Sequence, residues 1–176
     1  MHKTRVLITV SCCLCALAIF AWAQAVRKPG LWEMTTKTTW QKPPEMNRFG
    51  QPPATQVCLT QAMIDKYGAP IPTVEDCHIV NVVMKANGMT ADLICSKKGI
   101  TGTPGSGDMT GKGTLESSWA IPDQVKGKVH VLEIHETGLE DEIMGPISIP
   151  FEYTIEFSSV YKGPNCGNIK PAPMPN

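Results

Sequence analysis

Phe151, Tyr153, Ile155, Phe157 and Tyr161 alternate with Glu152, Thr154, Glu156 and Ser158, a period of two that gives one extended segment an apolar and a polar face. The same alternation recurs upstream. Trp32, Met34 and Trp40 share one parity against Glu33, Thr35 and Lys37 within residues 31–40. Met109, Leu115 and Trp119 do so against Thr110, Lys112, Thr114 and Glu116. Each pattern predicts a half-buried strand. Cys77 to Lys85 and Met89 to Cys95 are two further β-rich runs joined by Ala86-Asn87-Gly88, whose Asn-Gly pair tolerates the positive φ of a tight hairpin turn. Residues 128–137 carry apolar side chains on both parities, Val129 and Val131 against Leu132 and Ile134, which predicts a strand covered on both faces.

Between these runs lie turn signals. Residues 42–55 hold four prolines and Gly50 without periodicity, which predicts a long exposed loop before a short strand at 56–59. Thr60 is placed to cap a brief helix through Lys66, stopped by Gly68 and Pro70. Residues 98–107 are a Gly/Pro/Ser/Thr turn region. About seven closely spaced strands and one short helix predict an all-β fold, an antiparallel sandwich or small barrel. Nothing repeats at a fixed period, which disfavours a propeller or solenoid.

The first 25 residues read differently. His2, Lys3 and Arg5 precede an apolar run from Val6 to Ala23, and Ala21-Trp22-Ala23 and Ala23-Gln24-Ala25 both offer the small-x-small pattern of a signal peptidase site. This predicts a cleaved signal peptide over 1–25, a single β domain over 26–167 and a disordered Pro-rich tail over 168–176. The competing expectation is an uncleaved anchor, because a run of about 18 apolar residues is near the minimum that spans a bilayer. Cys12, Cys13 and Cys15 leave with a cleaved peptide, and the expected location is the periplasm or outside the cell.

About 150 mature residues suffice for one core. Without Lys3 and Arg5, the 16 basic side chains of the chain fall to 14 against 16 acidic ones, a balance that gives no reason to expect nucleic acid as a partner. Cys58, Cys77, Cys95 and Cys166 remain, an even number that reads as two disulfides in an oxidising compartment. Their 18, 17 and 70 intervening residues contain no close Cys-x-x-Cys pair, so neither a zinc site nor a thioredoxin-like motif is expected.

Candidate chemistry is sparse. The Gly-rich run 105–113 fails the phosphate-loop pattern, with Ser106 in place of the first Gly and Gly113 in place of the hydroxyl, and it precedes a strand. Glu140, Asp141 and Glu142 lack the spaced oxygens and central Gly of a calcium loop. His130, Glu133, His135 and Glu136 form the nearest approach to an acid/base or metal cluster, with Glu133 and His135 on one strand face and His130 opposite. A solvated polar face is the expected role of that pair, so Glu133→Gln and His135→Ala are expected to shift stability by less than about 0.5 kcal/mol. No catalytic residue, metal or cofactor is expected.

Pro29-Gly30-Leu31-Trp32-Glu33, Val57-Cys58-Leu59-Thr60, Asp76-Cys77, Ile94-Cys95 and Pro164-Asn165-Cys166-Gly167, taken together and in that order, resemble the bacterial exported family called domain of unknown function 3617. The resemblance implies an exported envelope protein of unassigned function with four cysteines in two bridges, and it supplies no catalytic residues. The tail beyond Gly167 is longer and richer in proline than the family pattern. Gly30-Leu31-Trp32 also looks like the Gly-x-Trp start of lipocalin-type barrels.

Three functional expectations follow. The first is a non-enzymatic binding or structural domain whose partner is unknown, with an envelope protein as one candidate. The second is a carrier of an apolar small molecule, in a cavity lined by Trp32, Met34 and Phe157. The third is an enzyme using Glu133 and His135 as an acid/base pair. For the disulfides, the hairpin around Asn87 sets Cys77 opposite Cys95 and leaves Cys58 to pair with Cys166.

Overall fold

The computed structural model describes residues 27–99, 107–136 and 147–172. The expected signal peptide and the acidic turn at 140–142 lie outside these residues. Seven strands form one sheet: β1 (Gly30–Lys42), β2 (Thr55–Leu59), β3 (Cys77–Lys85), β4 (Gly88–Lys97), β5 (Met109–Ile121), β6 (Gln124–Glu136) and β7 (Ser148–Gly163). Their order is β2-β1-β7-β6-β5-β4-β3, every neighbouring pair antiparallel, and the sheet curls into a half-barrel. The expected all-β antiparallel architecture is therefore present as a partial barrel.

The alternating patterns set the two faces. Trp32, Met34, Phe157, Val125, Val129, Val131, Leu115, Trp119, Met89 and Leu93 all point to the concave side and are buried there. One helix, α1 (Gln61–Tyr67), covers that side with Met63, Ile64 and Tyr67, continued by Ala69, Ile71 and Val74. It starts where expected: Thr60 Oγ1 accepts from the Met63 amide at 3.3 Å, satisfying one of the orphan donors of the first turn. Gly68 ends it in the left-handed region at φ 71°, which a side chain would disfavour.

Two segments differ from expectation for identifiable reasons. Strand β6 begins at Gln124, earlier than 128, because Pro122-Asp123 turns β5 straight back on itself with Ile121 opposite Gln124. Its outer face is not covered: Ile134 is 44% exposed, and among the described residues no second layer packs there. Between β1 and β2 the chain is not a free loop. A 3-10 turn at Pro44–Arg48 lies back along β1, where Asn47 donates to the Trp40 carbonyl at 2.7 Å and accepts from its amide at 2.8 Å. Gln51 makes the same pair of bonds with Thr38, so two side-chain amides stand in for a neighbouring strand beyond the end of β2.

Cys77 and Cys95 face each other across β3 and β4 with Cα atoms 3.9 Å apart. The Ser96 amide bonds to the Asp76 carbonyl just beyond them, so they occupy a non-hydrogen-bonded position, where opposed side chains approach most closely. Cys58 is bonded to Cys166 at a Cα separation of 5.6 Å, as the pairing argument expects. Residues 168–172 then run beside β2, with the Ala172 amide donating to the Cys58 carbonyl at 3.0 Å. Among the described residues, no helix is long and apolar enough to cross a membrane.

Candidate functional site

One row of residues crosses five adjacent strands at one end of the concave face: Cys77, Cys95, Gly111, Glu133 and Phe151, each opposite the next in register. The missing side chain in the middle of the row matters. A Cβ at Gly111 would meet Glu133 Cγ at 2.7 Å and the Leu132 carbonyl oxygen at 2.8 Å, so glycine leaves the space into which the Glu133 side chain lies. Its carboxylate reaches within 4.0 Å of Cys77 Sγ, a contact without a hydrogen bond because the sulfur is in a disulfide.

Glu133 is 6% exposed, which overturns the expectation of a solvated polar face. The parity that brings Val129 and Val131 into the core continues to 133. Buried this way, the carboxylate takes two partners: Tyr153 donates its hydroxyl to one oxygen at 3.0 Å, and His135 Nε2 lies 3.1 Å from the other. His135 is half-exposed and stacks against Phe151 at 4.5 Å between ring centroids, while Trp40 packs on Tyr153 at 4.6 Å. As expected, Glu133 and His135 share a face. His130 lies on the outer face, near Thr154 and Glu152.

Burial, then the charge of Glu133 and the hydrogen bond to it, push the Tyr153 phenol well above its ordinary value of 10.0. A phenol whose folded-state pKa is raised keeps its proton longest in the native chain. Its contribution to stability is therefore complete below the unfolded value and disappears as pH rises beyond it. Stability should fall above about pH 10, and Tyr153→Phe should flatten that fall. At neutral pH the same substitution should cost about 1–3 kcal/mol, because a buried carboxylate oxygen loses its donor. Urea denaturation of both proteins across the alkaline range measures the two effects.

Of the residues expected to line a ligand cavity, Phe157 borders the larger of two concavities, whereas Trp32 and Met34 border neither. Trp32 is 0% and Phe157 4% exposed, packed with Met34 in the core. Both concavities open on the outer face. The larger, about 770 Å³, is lined by Thr36, Phe157, Gly127 and Ser117 and by two flanking rows of outward side chains. One row alternates in charge across four strands, Lys37, Glu156, Lys128 and Glu116 in register. The other carries Thr35, Ser158, Lys126 and Ser118. The smaller, about 400 Å³, is walled by Ile94, Lys112 and Leu132 on one side and by Val80, Asp92, Thr114 and His130 on the other.

Sequence reasoning about function did not reach either groove. Their walls are the polar parity of each strand, which is also the ordinary signature of a solvated face, and only the register brings the lysines and glutamates into line.

Comparison with known proteins adds one finding. The family described as "Protein of unknown function (DUF3617)" matches residues 27–166. No curated protein and no solved structure matches the chain.

Proposed function

We propose that this chain, which belongs to the DUF3617 family, works by binding and not by catalysis, as an exported domain of the bacterial envelope that receives a polar, charge-bearing partner in its outer groove. The carrying observation is where the available space lies. Among the described residues the concave face carries the packed core of the sheet and α1, whereas the larger groove lies between lysines, glutamates and hydroxyls. Alternating charges on adjacent strands, spaced about 4.8 Å apart, favour a partner that presents complementary charges. Export is supported by the basic, apolar and small-residue pattern of residues 1–25 and by two disulfides, which persist in oxidising compartments.

The carrier reading has less support, since Trp32, Met34 and Phe157 are packed against their neighbours. An enzymatic reading rests on one observation, the buried Glu133 bonded to both Tyr153 and the half-exposed His135. Native mass spectrometry of the chain purified from its own envelope fraction tests the proposal. A retained protein or polymer of added mass is the expected result, and a bare chain under conditions that preserve weak complexes would contradict it.

A further inference from the structure

The disulfide end of the sheet holds a second arrangement, independent of the outer groove. Cys77 Sγ, Cys95 Sγ and a Glu133 carboxylate oxygen all lie within 4.8 Å of one another, and His135 Nε2 sits 3.1 Å from the other Glu133 oxygen. Cys95 and Glu133 are buried and Cys77 is half-buried. While the sulfurs are bonded to each other they offer no thiolate. Once reduced, they are two opposed thiols beside a carboxylate in a site largely withdrawn from water.

Collecting two thiolates and a carboxylate there is costly without positive charge. Among the described residues, the basic side chain within ion-pair reach of Glu133 is His135. A divalent cation supplies what is missing, and two sulfurs, one oxygen and one imidazole nitrogen form a four-ligand set suited to zinc. At zinc–sulfur distances of about 2.3 Å, tetrahedral geometry separates the sulfurs by about 3.8 Å. Side-chain rotation from directly opposed backbone positions can provide that separation. Gly111, with no side chain in the row between Cys95 and Glu133, leaves the room through which the Glu133 side chain reaches toward the two sulfurs.

We propose that the reduced Cys77–Cys95 pair, with Glu133 and His135, is a binding site for a thiophilic divalent cation of the zinc type, so that disulfide and metal are alternative occupants of one place. A dithiol donor delivers two electrons and two protons to the Cys77–Cys95 bond and is itself oxidised to a disulfide. The bond breaks to two thiols, and the cation then displaces their two protons without changing its own oxidation state.

The test uses the full chain under anaerobic conditions, oxidised or reduced with a phosphine, titrated with Zn²⁺ against a chromophoric chelator. The reduced chain should take up a single equivalent at least about a hundredfold more tightly than the oxidised one. Co²⁺ should give a thiolate-to-metal charge-transfer band in the reduced chain. Glu133→Gln should weaken Zn²⁺ binding at least about tenfold. Cys77→Ser with Cys95→Ser should abolish it, and Cys58→Ser with Cys166→Ser should preserve it. Alkylation mapping of the unsubstituted, zinc-loaded chain makes the result independent of whether those variants fold: Cys77 and Cys95 should be protected while Cys58 and Cys166 react. Equal binding by oxidised and reduced chains, protection of the other pair, or a reduced chain that neither binds Zn²⁺ nor keeps its β structure would each overturn the proposal.

Discussion

Replacing both Cys58 and Cys166 with Ser should lower the unfolding free energy by about 5 kcal/mol, the largest effect expected of any change confined to one contact. The bridge closes a sequence separation of 108 residues, against 18 for Cys77–Cys95. On the chain-entropy account this corresponds to about 5 kcal/mol for the long loop and about 3 kcal/mol for the short one. The sheet adds a local reason. Strand β2 pairs with β1 through five register pairs from Gly30–Leu59 to Met34–Thr55, and among the described residues its other edge meets the chain at the Cys58–Pro171 bridge. Cutting the disulfide releases that strap and frees an edge beside the buried Leu59. Urea denaturation should show a large fall in midpoint, and a loss below about 1 kcal/mol would mean that the reduced chain retains much of the constraint.

Trp119→Ala should cost about 3–5 kcal/mol, the range for truncating a buried large aromatic. Trp119 is 1% exposed and sits where three parts of the chain converge. Its indole nitrogen donates to the Ala86 carbonyl at 3.3 Å, tying β5 to the β3–β4 turn. The Arg27 guanidinium lies 4.1 Å above its ring. The C-terminus of α1 presses on its edge, so that even a Cβ at Gly68 would come within 2.8 Å of Cη2. Removing the ring therefore opens a void that a sheet, a turn and a helix end would all have to move to fill. Trp119→Phe should cost less, since it keeps most of the apolar contact and forfeits the hydrogen bond. An alanine variant within about 1 kcal/mol of the unsubstituted chain in urea denaturation would show that the site collapses freely.

How much of this was legible depended on whether a side chain's neighbours were local. The β7 alternation was clear because its faces meet different surroundings, with Phe157 buried and Glu156 in solvent. The Cys77–Cys95 pair followed from a short hairpin that brings its strand ends together, although the register reaches it only through a bulge in β3 between Val80 and Val83, which the sequence did not announce. The start of β6 was not legible, because Lys126, Gly127 and Lys128 break the apolar pattern that begins at Val129. The ordering of 44–51 was hidden because Asn47 and Gln51 find their partners on β1 through side-chain amides, which composition does not reveal. Glu133 carried a usable signal, since it shares parity with Val129 and Val131. That signal was outweighed by the habit of placing carboxylates outside. Its buried partners, Tyr153 and the disulfide, come from other strands and emerge only with the register.

The measurement closest to the central claim compares the partner recovered with the unsubstituted chain and with a variant carrying Lys37→Gln and Lys128→Gln. Both lysines line the outer groove, and the Lys128–Glu116 ion pair is exposed, so removing it should change stability by about 1 kcal/mol or less. Native mass spectrometry after purification from the envelope should show the added mass on the unsubstituted chain and its loss from an equally folded variant. A variant that keeps its partner would place the binding surface away from this groove and contradict the account.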